Sequence, residues 1–299
     1  MSQKRRIIVG VTAVVMICLV GFLVSTRTGV FIVFDVLGDI GADEVPTSPA
    51  DAPIALDRTI DSESTLGLPQ AIEQPSGIDF LPERNAFAVI TDQAELFEVH
   101  IETTETVSET LMAGGPLLFR QGSSEAVTGC QDGILVGGEI GRLEVWTISD
   151  NAWTRDRVIP LPADFEDAEW SAAAVDPETG EIYLATGDRF QVEVLGSDGE
   201  FLRSLTLNPV LEENRSTSEY ERSGLDLEDG QLYVVTENYG TLLRVDPQTG
   251  AIIESIGLNH GGEISDIAVV GNRAYVTVDH DLFDPRLGIR VYDVAEESS

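Results

Sequence analysis

Between residues 75 and 294 one phrase is written five times. Each copy has a short stretch of small residues, a turn rich in Asp, Glu, Pro or Gly, an apolar stretch, a second polar turn and an alternating stretch. The copies run from Pro75 to Ile101, Glu125 to Ile148, Ser171 to Leu195, Ser223 to Asp246 and Ser265 to Val294. Equivalent positions recur at roughly 40 to 50 residues, the period of a four-stranded propeller blade. The apolar runs are short, rich in Val, Ile, Leu, Tyr and Phe, and punctuated by DPETG, LEDG and DPQTG turns, which is strand and turn chemistry. No segment in this region sustains a 3.6-residue period, so a helical array is a poor reading. The expected fold is all-β: a propeller of five blades, or six if the spacer after Ile101 hides an irregular one.

A fourth strand follows several copies, most clearly at Ala251–Leu258 and Phe201–Leu207. The last copy has no room for one. The segment Pro53–Ile60 (PIALDRTI) has the right alternation and is expected to supply the missing outer strand of the last blade. Closing the ring with strands from both ends of the chain removes exposed sheet edges.

The N-terminus reads as an address. Lys4, Arg5 and Arg6 precede an uncharged apolar stretch, residues 7–24, and roughly 18 to 20 such residues suffice to cross the hydrocarbon core. Basic residues before it set an N-in orientation. A cleaved signal peptide is the competitor, but its apolar core is usually shorter and ends at a small-x-small site. Ile17 stands before Cys18 where a lipoprotein would need a small residue. The expected organisation is a cytoplasmic stub and transmembrane anchor at 1–28, a juxtamembrane segment and Pro-rich linker at 29–52, and the propeller at 53–299. The protein is thus placed in the cell (inner) membrane by one span, with the propeller in the periplasm or outside.

Charge narrows the partners. Asp and Glu number 52 against 18 Lys and Arg, a formal net charge of -34, and Lys4 is the only lysine. A surface of this sign repels nucleic acid phosphates and anionic head groups. It suits cations or a salty medium, and solubility alone would also account for acids spread along the whole chain. The 42% hydrophobic content excludes a disordered acidic tail. Cys18 and Cys130 sit in different regions, so no intramolecular disulfide is expected.

The S-G-[IL]-D opening recurs at Ser76–Asp79 and Ser223–Asp226, with Asp-Pro-x-Thr-Gly turns at 176–180 and 246–250 and an L-[FY]-x-V-[TS]-[DE] strand phrase. In these the chain resembles the SdiA-regulated (YjiK-like) family of membrane-anchored bacterial propellers. The resemblance implies one anchor followed by one propeller and covers about residues 54–294. It carries no assigned reaction.

Two sets of acids recur with the repeat. Glu73, Glu125, Glu169, Glu221 and Glu263 stand at or just before the first strand of each copy. Asp92, Glu139, Asp188, Glu237 and Asp279 follow the apolar strand. Radial repetition brings equivalent positions round one axis, so these carboxylates are candidates for one or two acidic rings holding Ca2+ or another divalent cation, which takes six to eight oxygen ligands. The plainer reading is that each acid caps a turn, pairs with Arg or faces water. A metal-dependent lactonase or esterase would use similar parts, as gluconolactonase-like propellers do. Glu221, Asn238 and Asp279 are then the nearest ligands, and His260 and His280 the candidate general bases. No organic cofactor is expected. No nucleophile elbow, Walker loop or HExxH motif is present. The reading is therefore a monomeric propeller that binds a small-molecule ligand or an envelope protein through its channel or loop face, including the polar loop 208–222. The alternatives are the hydrolase, or an acidic scaffold without a specific ligand.

Overall fold

The computed structural model describes residues 48–68, 72, 75–91, 95–103, 106–111, 124–130, 133–138, 143–149, 152–162, 165, 170–186, 190–213, 215–216, 222–237, 239–260, 262–279 and 288–295. The anchor and most of the linker expected from the sequence lie outside these residues. Among the described residues no helix is long and apolar enough to cross a membrane.

The chain is a five-bladed β-propeller. Two short strands come first, β1 (Arg58–Asp61) and β2 (Ser64–Gly67). Blade 1 is β3 (Pro75–Leu81), β4 (Ala86–Thr91), β5 (Leu96–Thr103) and β6 (Thr106–Leu111). Blade 2 is β7 (Ser124–Cys130), β8 (Gly133–Gly138), β9 (Leu143–Ser149) and β10 (Ala152–Ile159). Blade 3 is β11 (Trp170–Val175), β12 (Ile182–Thr186), β13 (Gln191–Leu195) and β14 (Phe201–Thr206). Blade 4 is β15 (Arg222–Glu228), β16 (Gln231–Thr236), β17 (Thr241–Val245) and β18 (Ile252–Asn259). Blade 5 is β19 (Glu263–Val270), β20 (Arg273–Asp279), β21 (Gly288–Asp293) and, as its outer strand, β2. The first strands β3, β7, β11, β15 and β19 neighbour one another in a closed ring around the axis.

Each blade buries both faces against its neighbours, so the middle strands read as unbroken apolar runs rather than alternating ones. Strands β4 and β17 are buried at every position, whereas the outer strand β14 faces water at most of its positions. The core lies in the seams: Ile90 with Val127, Val145 with Leu184, Val194 with Leu225, Val235 with Val276, and Val89 with Ile289 fall into separate clusters between successive blades. Near the axis there is little space, and small residues answer that. A Cβ placed on Gly224 would lie 2.6 Å from Asp266 Oδ1 and 2.8 Å from its Cα.

Every first strand carries a register shift at the same place. The extra residue is Ser76, Glu125, Ser171, Ser223 or Ser265. A bulge bends the strand and re-aims the side chains beyond it. The serine that opens the repeated phrase is thus a bulge residue, and Ser76 and Ser171 donate their hydroxyls to the carbonyls of Ile90 and Ala185 on the second strand, each at 3.4 Å.

Ring closure corrects the sequence expectation. The segment 53–60 does not form the outer strand of the last blade. Its second half begins β1, which pairs in parallel with β18 as a fifth strand of blade 4, and the last blade is completed by β2 instead. The reason lies in side-chain contacts with blade 4. Arg58 Nε donates to Glu254 Oε1 at 2.8 Å, and the Ser255 N–H donates to Asp57 Oδ2 at 2.8 Å. Pro53 and Ala55 bond to the backbone of Glu212 and Val210, which ties down the start of the long polar loop. Arg58 also donates to the carbonyl of Ala295 at 3.0 Å, so the two termini of the propeller meet at this residue.

Candidate functional site

The two mouths of the channel differ. Of the two sets of acids picked out in the sequence, Glu125, Glu237, Glu263 and Asp279 fall among the described residues, and Glu263 and Asp279 stand at the mouth where the first strands begin. Glu73, Glu169, Glu221, Asp92, Glu139, Asp188, Asn238 and His280 lie outside the described residues. Glu263 opens β19, is exposed, and stands opposite Asp279 in the β19–β20 register. Glu237 is a half-buried turn residue after β16. Glu125 occupies the bulge position of β7, which is the position of Ser265 in β19. It therefore sits two residues further along its strand than Glu263 does. Among the described residues no group of three His, Cys, Asp or Glu side chains could hold a metal ion.

His260 follows β18 and is packed against the turn before β17, where a Cβ on Gly240 would collide with its ring. Its Nδ1 bonds to the Gly262 carbonyl, and burial holds the imidazole below its ordinary pKa. The ring is wedged between blades 4 and 5.

The opposite mouth, where the first strands end, holds a cavity of about 760 Å³. All five blades line it: Leu81 and Arg84 from blade 1, Cys130 from blade 2, Pro177 from blade 3, Glu228 from blade 4 and Val270 from blade 5. Cys130 forms no disulfide.

Two carboxylates stand in the cavity wall, Asp79 and Asp226. They close the two S-G-[IL]-D phrases and are equivalent in β3 and β15. A third, Asp266, takes in β19 the place that Gly77 and Gly224 hold in those strands. Each reaches across a seam to the backbone of the next blade. Asp226 Oδ2 accepts from the Val269 N–H, Asp266 Oδ2 from the Ile78 N–H at 2.8 Å, and Asp79 Oδ2 from the Gly129 N–H at 2.5 Å. Asp79 and Asp226 also accept from the next residue of their own strands, Phe80 at 2.6 Å and Leu227 at 2.7 Å. The three acids thus latch blades 4 to 5, 5 to 1 and 1 to 2.

Their electrostatics are one-sided. Burial pushes the Asp79 carboxyl up to about 6, against the N–H groups of Gly129 and Phe80 that favour the anion. Burial drives Asp226 and Asp266 well above the carboxylate range, and for Asp226 the charge of Asp79 is the next cause. Asp266 feels both of the others. Asp79 is enclosed by protein yet opens one edge to the cavity, while Asp226 and Asp266 are only 8% and 2% exposed. Among the described residues no cation pairs with any of the three. Arg84, in the cavity wall, gives its Nε to Glu98 at 2.5 Å instead. Buried carboxylates without a counter-charge take up a proton or a cation.

The sequence reading missed this group because it used S-G-[IL]-D as a family mark. The available signal was an Asp flanked by large apolar residues, Ile78 and Phe80 or Leu225 and Leu227, on the strands nearest the axis.

No family model matches the chain, and no curated protein does. Among solved structures the glutaminyl cyclase of Myxococcus xanthus is similar, at 15% identity over 82% of this chain and all of the other, with a TM-score of 0.57. That identity supports the fold alone. A calcium-binding regucalcin from Agrobacterium tumefaciens covers 80% of this chain and 95% of its own at 12% identity, with a TM-score of 0.49.

Proposed function

We propose that this chain is a membrane-anchored, extracytoplasmic binding propeller of the SdiA-regulated type, which receives a small molecule or a segment of an envelope protein at its channel. The observation that carries the reading is the cavity at the mouth where the first strands end. All five blades contribute to it, and it combines apolar walls with polar groups at a few fixed points, the usual make-up of a ligand site. Residues 7–24 supply the anchor, with the N-terminus in the cytoplasm. Asp79 and Asp226 serve architecture and recognition together, since each lines the cavity while accepting backbone N–H groups.

The test is a thermal-shift and calorimetric screen of the full chain in detergent against small molecules, with Ca2+ and a set of lactones and esters in the same panel. Saturable binding without turnover is the expected result. Turnover that needs Ca2+ and is lost in Glu221→Gln would replace this reading with the metal-dependent hydrolase. Protease added to intact spheroplasts should digest the propeller from outside; full protection would reverse the proposed orientation.

A further inference from the structure

We infer that the cavity formed by the ends of the first strands is a site for an organic amine with an apolar body, its ammonium group seated against Asp79 and Asp226. The inference rests on the binding reading and names the ligand class for the same cavity.

The wall has two chemistries in one space of about 760 Å³. One part is apolar, made by Leu81, Ile134, Val175, Leu227, Val269 and Val270. The other is acidic: Asp79 and Asp226 in the wall, with Glu83 and Glu228 nearer the turns. Asp226 is nine-tenths buried, and its two hydrogen bonds both come from neutral backbone N–H groups. Each carboxylate oxygen has a second lone pair. Asp79 and Asp226 both line this space, and their negative charges repel. A positive group between them relieves that repulsion and gains charge-assisted hydrogen bonds.

The shape of the wall selects among cations. A hard divalent ion asks for six or more oxygens, and the described carboxylates do not converge closely enough to supply a metal group. A planar anion meets two buried acids and one arginine already committed to Glu98. An amine needs only one or two acceptors at its head, and its hydrocarbon part covers the apolar wall. The strongly acidic surface concentrates such cations near the mouth.

Cys130 reports on occupancy because it lines the same cavity. The experiment uses the full chain in detergent with Cys18→Ser, so that N-ethylmaleimide reads Cys130 alone. Its alkylation rate is followed with 2-phenylethylamine, with the neutral 2-phenylethanol of similar shape, and with Ca2+. The expected result is saturable protection by the amine and little by the alcohol. The Asp226→Asn variant should weaken the amine by about 10- to 100-fold, the worth of a charged hydrogen bond, and leave the alcohol unchanged. Should that variant fail to fold, the ratio of amine to alcohol on the unmutated wall decides alone. Equal protection by the alcohol would overturn the amine class and leave the binding reading standing. Protection by Ca2+ but not by the amine would overturn it in favour of a metal. If none of the three protects, the amine class falls and the cavity loses its claim as the binding site.

Discussion

Replacing Asp79 by Asn should flatten the fall of stability with rising pH. The native carboxyl is pushed up to about 6 from an ordinary value of 3.8, with burial the largest cause. A raised carboxyl favours the folded state through its protonated form. Its contribution is therefore fully present below about pH 4 and is lost as pH rises through 6. The whole shift corresponds to about 3 kcal/mol, and about half of that falls between pH 5 and 7.5. Water in the cavity screens the group, so this is an upper figure. Other titrating groups, such as the Asp246 carboxyl held low by the Gln248 N–H, act with the opposite sign. Those remote from Asp79 are common to both proteins and cancel in the difference, whereas Asp226 and Asp266 lose the charge of Asp79 in the variant, which flattens its curve further in the same direction. Asn keeps one acceptor for Phe80 or Gly129 and puts an amide N–H against the other, a cost of about 1 kcal/mol that is nearly constant with pH. The measurement is urea unfolding of both proteins at pH 5, 6 and 7.5, kept above the pI of 4.1 to avoid precipitation. The difference in stability between the two proteins should shift by about 1 kcal/mol in favour of the variant between pH 5 and pH 7.5. Parallel curves would mean that Asp79 titrates as an ordinary surface acid, and the account of the buried trio would fail.

Packing sets the remaining expectations. Gly224→Ala places a Cβ 2.6 Å from Asp266 Oδ1 and should destabilise by about 1–3 kcal/mol in the same assay, as overpacking does. Gly230 has φ +71 and nothing near its missing Cβ, so Gly230→Ala should cost only the left-handed backbone, about 1–2 kcal/mol. Leu66→Ala empties a position on the closing strand that is 1% exposed and should cost about 2–5 kcal/mol. Arg203→Lys loses the paired bonds to Glu181 at 2.9 and 2.8 Å, but the pair is partly exposed, and the unfolding midpoint should move by the equivalent of no more than about 1 kcal/mol.

The blades were legible because each strand writes its burial into local composition. Leu232–Thr236 is apolar on both faces and bounded by turns, and the DPETG and DPQTG segments are the same turn twice. In both, the Asp Oδ1 accepts from the N–H groups two and three residues on, and the Gly sits at φ +75 or +73. Such rules act within a few residues and need no tertiary knowledge. Ring closure was less legible. Pro53–Ile60 and Ser64–Gly67 both alternate, and the choice between them rests on Glu254 and Ser255, distant in sequence from either segment. The acids were the hardest. The bulge falls at the same place in every first strand, so only the strand register shows that Glu125 stands two positions further along than Glu263, and composition carries no mark of it. Asp79 and Asp226 look like turn acids in one dimension, because the strand ends just beyond them at Leu81 and Glu228. Only the ring of neighbouring strands shows that both are walled in.

The closing strand also sets an order of events. Ser64–Gly67 lies against Gly288–Val291, so its partner is synthesised last. A chain growing from its N-terminus must carry this strand unpaired past four complete blades before the fifth can receive it. Loops this long delay pairing far more than they weaken it. Joining Ala295 to Glu63 through a short linker, with new ends opened between two blades, would turn that latest contact into a neighbouring hairpin. The permuted ring should then assemble faster, while its final stability falls because Ile54, Asp57 and Arg58 no longer brace blade 4.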